Sequence, residues 1–114
     1  MEAVTVVDIL NSKSAVSPRA GIKAYEFVAN RISQNQQLEV SFEGIEDLTS
    51  AFCNSFIGKL YMNFDPEVLN SDLHFIGIEK DHVWYKKIQN AILLGTNENA
   101  RTLHKENLAE VIFS

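Results

Sequence analysis

Two adjacent hydroxyls, Thr49 and Ser50, sit in the stretch VSFEGIEDLTSAFCNSFIGKL (residues 40–60), where an alternating strand pattern gives way to a helical one. A hydroxyl at a helix start can do two things. It can cap the helix by accepting an orphan backbone N–H. It can also accept a phosphoryl group, because the exposed N–H groups and the helix dipole favour an anion there. Loops at the carboxyl ends of strands are also where open α/β folds place function. Cys53 follows closely, and a helix N-terminus can lower a thiol pKa enough to make a nucleophile. His74, His82 and His104 are the candidate bases. None is tied to Cys53 by spacing, and a free cysteine is more often a packed core residue, so no catalytic residue is assigned. Glu43, Glu46 and Asp47 put an acidic cluster on the bend. Such a cluster repels phosphate, attracts a basic partner, or is simply solvated.

Other chemistry finds little support. The histidines show no metal-ligand spacing, so no zinc site is expected. Gly44, Gly58, Gly77 and Gly95 form neither a dinucleotide fingerprint nor a P-loop, so no cofactor is expected. The net charge is −5 at pH 7, and the lysines and arginines are scattered apart from Lys86-Lys87. Nucleic-acid binding needs a basic face, so that class is disfavoured. With Cys53 the sole cysteine, no intrachain disulfide can form, and a cytoplasmic setting is expected. The opening MEAVTVVDIL lacks the basic start and long apolar core of a signal peptide. No apolar run is long enough to span a bilayer.

The elements that would position the hydroxyls are legible in the spacing. With 114 residues, one domain over 1–114 is expected, with 100–114 as a peripheral tail. AVTVVDIL (3–10) is β-branched and reads as a strand. Ser17-Pro18 reads as an N-cap followed by proline at the first helical position. Ile22, Tyr25, Val28 or Ala29, and Ile32 then give an apolar face ending near Gln34–Gln37. Residues 38–44 alternate, with Leu38, Val40 and Phe42 on one side and Gly44 relaxing the end. Leu48, Phe52, Phe56, Leu60 and Phe64 recur every four residues, the strongest helical stripe in the chain, until Asp65-Pro66 stops or redirects it. LHFIGI (73–78) is a third strand. Residues 79–99 read as a helix ending between Gly95 and Asn99. LAEVIF (108–113) fits a strand or a short helix. Alternating strands and helices predict a small α/β domain, a mixed and mostly parallel sheet packed with about three helices, its first strand eligible as an antiparallel edge. Tyr61 to Phe64 and Val83 to Tyr85 carry more aromatic surface than one helix face needs, which marks the region of Trp84 as a docking patch or as core filler.

SPRAGIKAYEFVANRI (17–32) and the 40–60 stretch together resemble the STAS-like family, relatives of bacterial anti-sigma factor antagonists. The first block is similar to that family's opening helix, the second to its strand, bend, hydroxyl-bearing turn and second helix. The likeness extends over roughly residues 3–95. It implies a regulatory protein-interaction module, not an enzyme, whose turn hydroxyl is phosphorylated by a histidine-kinase-like ATPase, phosphate breaking the complex through added charge. Carried onto this chain, Ser50 and Thr49 are the acceptor candidates, and Asp47, Phe52 and Asn54 flank the partner surface within 44–56. The family's Asp-Ser-x-Gly-Leu type of turn is replaced here by Leu48-Thr49-Ser50-Ala51-Phe52. An accessory interaction domain without phosphorylation is the competing reading.

Overall fold

The computed structural model describes residues 1–79 and 82–113, with side chains described up to Arg101. The chain runs β1 (Glu2–Thr5), α1 (Val6–Leu10), β2 (Ser14–Ala15), α2 (Pro18–Ser33), β3 (Leu38–Ser41), β4 (Asp47–Leu48) and α3 (Ser50–Cys53). A π-helical turn (Asn54–Gly58) joins α3 to α4 (Lys59–Asn63), and α5 (Pro66–Asp72), β5 (Leu73–Ile76) and α6 (Val83–Phe113) follow. This is the expected α/β architecture. The main sheet has the order β1-β3-β5. Both of its pairings are parallel, with Val4 opposite Val40 and Val40 opposite Phe75. The first strand is therefore a parallel edge, not an antiparallel one. β2 and β4 form a separate two-residue parallel ladder.

The expected strand over 3–10 is half strand and half helix. Thr5 adopts an extended conformation and its hydroxyl accepts the Asp8 N–H at 3.0 Å. That cap starts α1, and Val6, Ile9 and Leu10 then share a buried face at helical spacing. Ser17 caps α2 as expected, accepting from Ala20 N–H, with Pro18 in the first turn. The buried face of α2 is Gly21, Ala24, Val28 and Ile32, whereas Ile22 is 41% exposed. The helix is rotated from the expected face because Gly21 lets it close onto Phe52 and Ser55.

Leu38, Val40, Phe42, Phe52, Phe56 and Leu60 are almost wholly buried. The rings of Phe42 and Phe56 both meet Phe75, at centroid distances of 5.8 and 6.1 Å. Burying each such side chain contributes about 1.5–3 kcal/mol, so the four-residue stripe is the spine that fixes α3 and α4 on the sheet. Asp65-Pro66 redirects the chain into α5, with Asp65 as N-cap.

α6 does not stop between Gly95 and Asn99; it continues to Phe113, and LAEVIF is helical. Lys80 and Asp81, part of the expected helix, lie outside the described residues. Gly95 is a crossing point here. A Cβ on it would run into the Gly58 carbonyl oxygen and lie 3.0 Å from Tyr61 Cβ. Beyond the crossing, Asn99 Nδ2 donates to the carbonyls of Tyr61 and Phe64, both at 3.1 Å. These are carbonyls at the end of α4, which have no helical partner of their own. At 1.5 Å per residue, α6 is about 46 Å long, most of the molecule's 52 Å long axis.

Candidate functional site

The turn after β3 is built by backbone. Gly44 has φ +87°, a left-handed conformation that suits glycine, and Ile45 N–H donates to Phe42 O. The chain is then stitched to the segment before α2. Glu46 N–H donates to Lys13 O at 2.8 Å, β4 pairs with β2, and Thr49 N–H donates to Ala15 O at 3.1 Å. Two loops far apart in sequence thus hold the hydroxyl pair in place.

The two hydroxyls differ sharply. Thr49 is the N-cap of α3: its Oγ1 accepts from Phe52 N–H at 3.2 Å and donates to Val16 O at 2.6 Å. Both capacities of that oxygen toward the backbone are in use. Ser50, the first helical residue, is exposed, and its hydroxyl makes no hydrogen bond to any described residue. Asn54, one turn along, is exposed as well, and so is Asp47 on β4. The structure therefore brings Asp47, Ser50 and Asn54 to the surface around the turn. Phe52 is 0% exposed; it is a core residue and does not line a contact surface. Glu43 and Glu46 are exposed on the bend.

Lys87 is a site residue that sequence spacing did not single out. Its ammonium group, on α6, donates to Leu48 O at 3.0 Å, which brings a cation against the turn from across the fold. The signal was the Lys86-Lys87 pair followed by buried Ile88, since a residue next to an inward position can reach the core's rim.

Cys53 is fully buried. Desolvation pushes its thiol up to about 11, the nearby Lys87 charge acting in the opposite direction. A thiol so placed stays protonated near neutrality and lacks the character of a nucleophile. His82 stacks edge-on against Trp84 at 5.1 Å, and the side chain of His104 lies outside the described residues. Trp84 is half-buried and Phe64 likewise packs against the core. Exposed apolar surface lies beside Trp84 at Val83, which is 66% exposed, and in a groove of about 370 Å³ between α2, α4 and α6, lined by Ile22, Asn54, Ser55, Lys59, Met62 and Leu94 among others. Among the described residues, no three His, Cys, Asp or Glu side chains gather where they could hold a metal ion, and no helix is long and apolar enough to cross a membrane.

The π turn sits behind this surface. It is gripped on one side by Gly21 of α2 and on the other by the Gly58–Gly95 crossing. π turns are uncommon and concentrate at functional sites. Here the turn lets the helix satisfy both glycine contacts while keeping Phe52 and Phe56 inward, their rings 5.7 Å apart.

A family model described as a STAS-like domain of unknown function (DUF4325) matches residues 20–83. The matched span runs from α2 through β5 and contains the whole turn. No curated protein and no solved structure matches the chain.

Proposed function

The chain belongs to this family of STAS-like domains, and on that premise we propose that it is a regulatory protein-interaction module, similar in action to an anti-sigma factor antagonist. Its partner surface is the 44–56 turn and helix start, and phosphorylation of Ser50 releases the partner. The observation that carries this reading is the inequality of the two hydroxyls. Thr49 would have to give up its donated bond to Val16 O to accept phosphate, whereas Ser50 is exposed and unengaged by the described residues.

A phosphate on Ser50 adds about −1.5 to −2 charge. The helix start and the Lys87 ammonium group make that charge tolerable to the domain itself. The same charge, placed inside the docked surface, would have to be desolvated there, and that cost breaks the contact. The family resemblance makes a histidine-kinase-like ATPase the expected kinase and partner, acting in the cytoplasm of a bacterium.

The test is a pull-down from native-host lysate with the chain as bait, alongside intact-mass measurement of the chain from that host. The reading expects an ATPase of that type, lost with Ser50→Asp and retained with Ser50→Ala, and one phosphate located on Ser50. Equal recovery with both variants would sink the switch. A phosphorylation-independent accessory domain is the second reading, favoured by the exposed Ile22, Met62 and Leu94 beside Asn54. It expects recovery to ignore Ser50 and to fail with Met62→Glu.

A further inference from the structure

Lys87 is half-buried, yet among the described residues it has no acid for a partner. Its Nζ donates to Leu48 O at 3.0 Å. The ion pairs among the described residues are Arg31–Glu2 and Arg101–Glu98. Even Asp47, the chain neighbour of Leu48, is therefore outside pairing distance of Lys87. A charge drawn partly out of water is ordinarily matched by an opposite charge. An ammonium group also carries three N–H donors. The Leu48 carbonyl takes one, and no described residue takes the other two.

The place of this group is bracketed on both sides of Ser50. Leu48 lies two residues before Ser50, and consecutive Cα atoms are about 3.8 Å apart. Cys53 lies three residues after Ser50, on the same side of the helix. It feels the charge as well: its thiol is raised by burial and drawn back down by Lys87. α6 packs on α3, and buried Ile88 anchors it directly beside Lys87. The lysine stem is flexible over four carbons, so a phosphoryl group on the exposed Ser50 hydroxyl comes within reach of the ammonium. Glu46 and Asp47, exposed on the same turn, carry the sign of the phosphate and oppose it. Lys13 and Arg19 are the exposed cations of the neighbouring segment. Neither side chain hydrogen-bonds to a described residue, so neither is held at the turn as Lys87 is.

We propose that Lys87 is the chain's own receptor for a phosphate on Ser50: positioned by the Leu48 carbonyl, it gives its remaining donors to the phosphoryl oxygens and ties the modified turn to α6. The inference rests on the reading of Ser50 as the phosphoacceptor and adds a consequence to it. Phosphorylation does more than charge a docking surface. It joins the turn to the last helix of the same domain by an ion pair that the unmodified chain lacks. Lysine binds phosphate as a point charge, so one ammonium on a flexible stem suffices.

The experiment uses the full chain with phosphoserine installed at position 50 during synthesis, so no kinase is needed. The second ionisation of the phosphate, ordinarily near 6, is titrated by phosphorus NMR in the folded chain and again in urea. The folded midpoint should be lower by roughly half a unit or more, because an adjacent cation favours the dianion and partial exposure limits the effect. Lys87→Gln should abolish the difference and Lys87→Arg should keep it, while Lys13→Gln and Arg19→Gln leave it in place. Urea denaturation should show the same coupling: Lys87→Gln should lower the folding equilibrium constant about threefold more in the phosphorylated chain than in the unmodified one. Should Lys87→Gln fail to fold, the Lys87 Cε resonance of the native phosphorylated chain decides, since it should shift at the midpoint of the phosphate. Equal folded and unfolded midpoints, a difference that survives Lys87→Gln, or one that is lost with Lys13 or Arg19 instead would overturn the proposal. Intact mass of the chain from its native host tests the reading of Ser50 separately. Phosphate absent there removes the switch, and the role of Lys87 with it, even where the installed phosphate shows the ion pair.

Discussion

α2 closes on the helix of the candidate site at Gly21, and that contact makes a prediction whose sign separates local propensity from tertiary packing. Gly21 lies inside a 16-residue helix. On propensity alone, alanine there should stabilise by about 1 kcal/mol. The packing says the opposite. A Cβ at Gly21 would stand 2.7 Å from the Phe52 carbonyl oxygen, 2.7 Å from Ser55 Cβ and 3.2 Å from Phe56 N, where ordinary contact begins at 3.4 Å. Two of those atoms are backbone, in a segment held on its far side by α6 through the Gly58–Gly95 crossing, so they cannot retreat. Overpacking costs roughly 1–3 kcal/mol, and two contacts this short place the cost at the upper end. After the propensity gain, Gly21→Ala should lose about 1–2 kcal/mol, a fall in Tm of about 4–8 °C at this chain length. Urea denaturation followed by far-UV circular dichroism measures it, with Lys23→Gly on the exposed side of the same helix as reference. Lys23→Gly should cost about 1 kcal/mol, showing that α2 obeys propensity where nothing touches it. A Gly21→Ala midpoint above wild type at unchanged slope would refute the close approach and with it the rotated face of α2.

Thr49→Ala should cost about 1–2 kcal/mol, since it removes the cap on Phe52 N–H and the bond to Val16 O; Thr49→Ser should recover most of it and Ser50→Ala should stay within about 0.5 kcal/mol, all read by urea midpoint. Cys53 should resist iodoacetamide in the native chain near neutral pH and label only on unfolding; rapid native labelling would contradict its burial. Burial pushes the same thiol up to about 11 in the folded chain, from an ordinary value of 9.0. The folded chain therefore binds more protons between those values, and stability is lost as pH rises through that window, by up to roughly 2–3 kcal/mol. Burial also raises Tyr61, which acts in the same direction. Cys53→Ala should flatten the alkaline fall in urea midpoint, and an unchanged fall would assign it to other groups. Asn99→Ala should cost about 1–2 kcal/mol by orphaning the Tyr61 and Phe64 carbonyls, and should speed amide exchange in α4; unaltered exchange would count against Asn99 as the clasp between α4 and α6.

What the chain alone determined were the features written in nearest neighbours. Ser17-Pro18 starts a helix because a hydroxyl cap and a preset φ act within one turn. Residues 38–42 alternate because one face of β3 is buried, and the stripe from Leu48 to Leu60 marks an inward face by period alone. Thr49 and Ser50 were legible as a pair at a helix start, and so was the family likeness that rests on these blocks. Only the tertiary structure decided the rest, because it depends on what lies across the fold. Gly95 has the local signature of a helix end, yet it lies within α6, since only a glycine fits against Gly58. Ile22 has the character of a core residue, yet it faces out because Gly21 draws α2 onto the π turn. Phe52 moved from the contact surface to the core, and Lys87 reached the turn from a helix 39 residues away in sequence. The choice between the two hydroxyls was of the same kind. Thr49 and Ser50 are chemically alike in the sequence; the Val16 carbonyl, brought alongside by the β2–β4 ladder, engages one and leaves the other exposed.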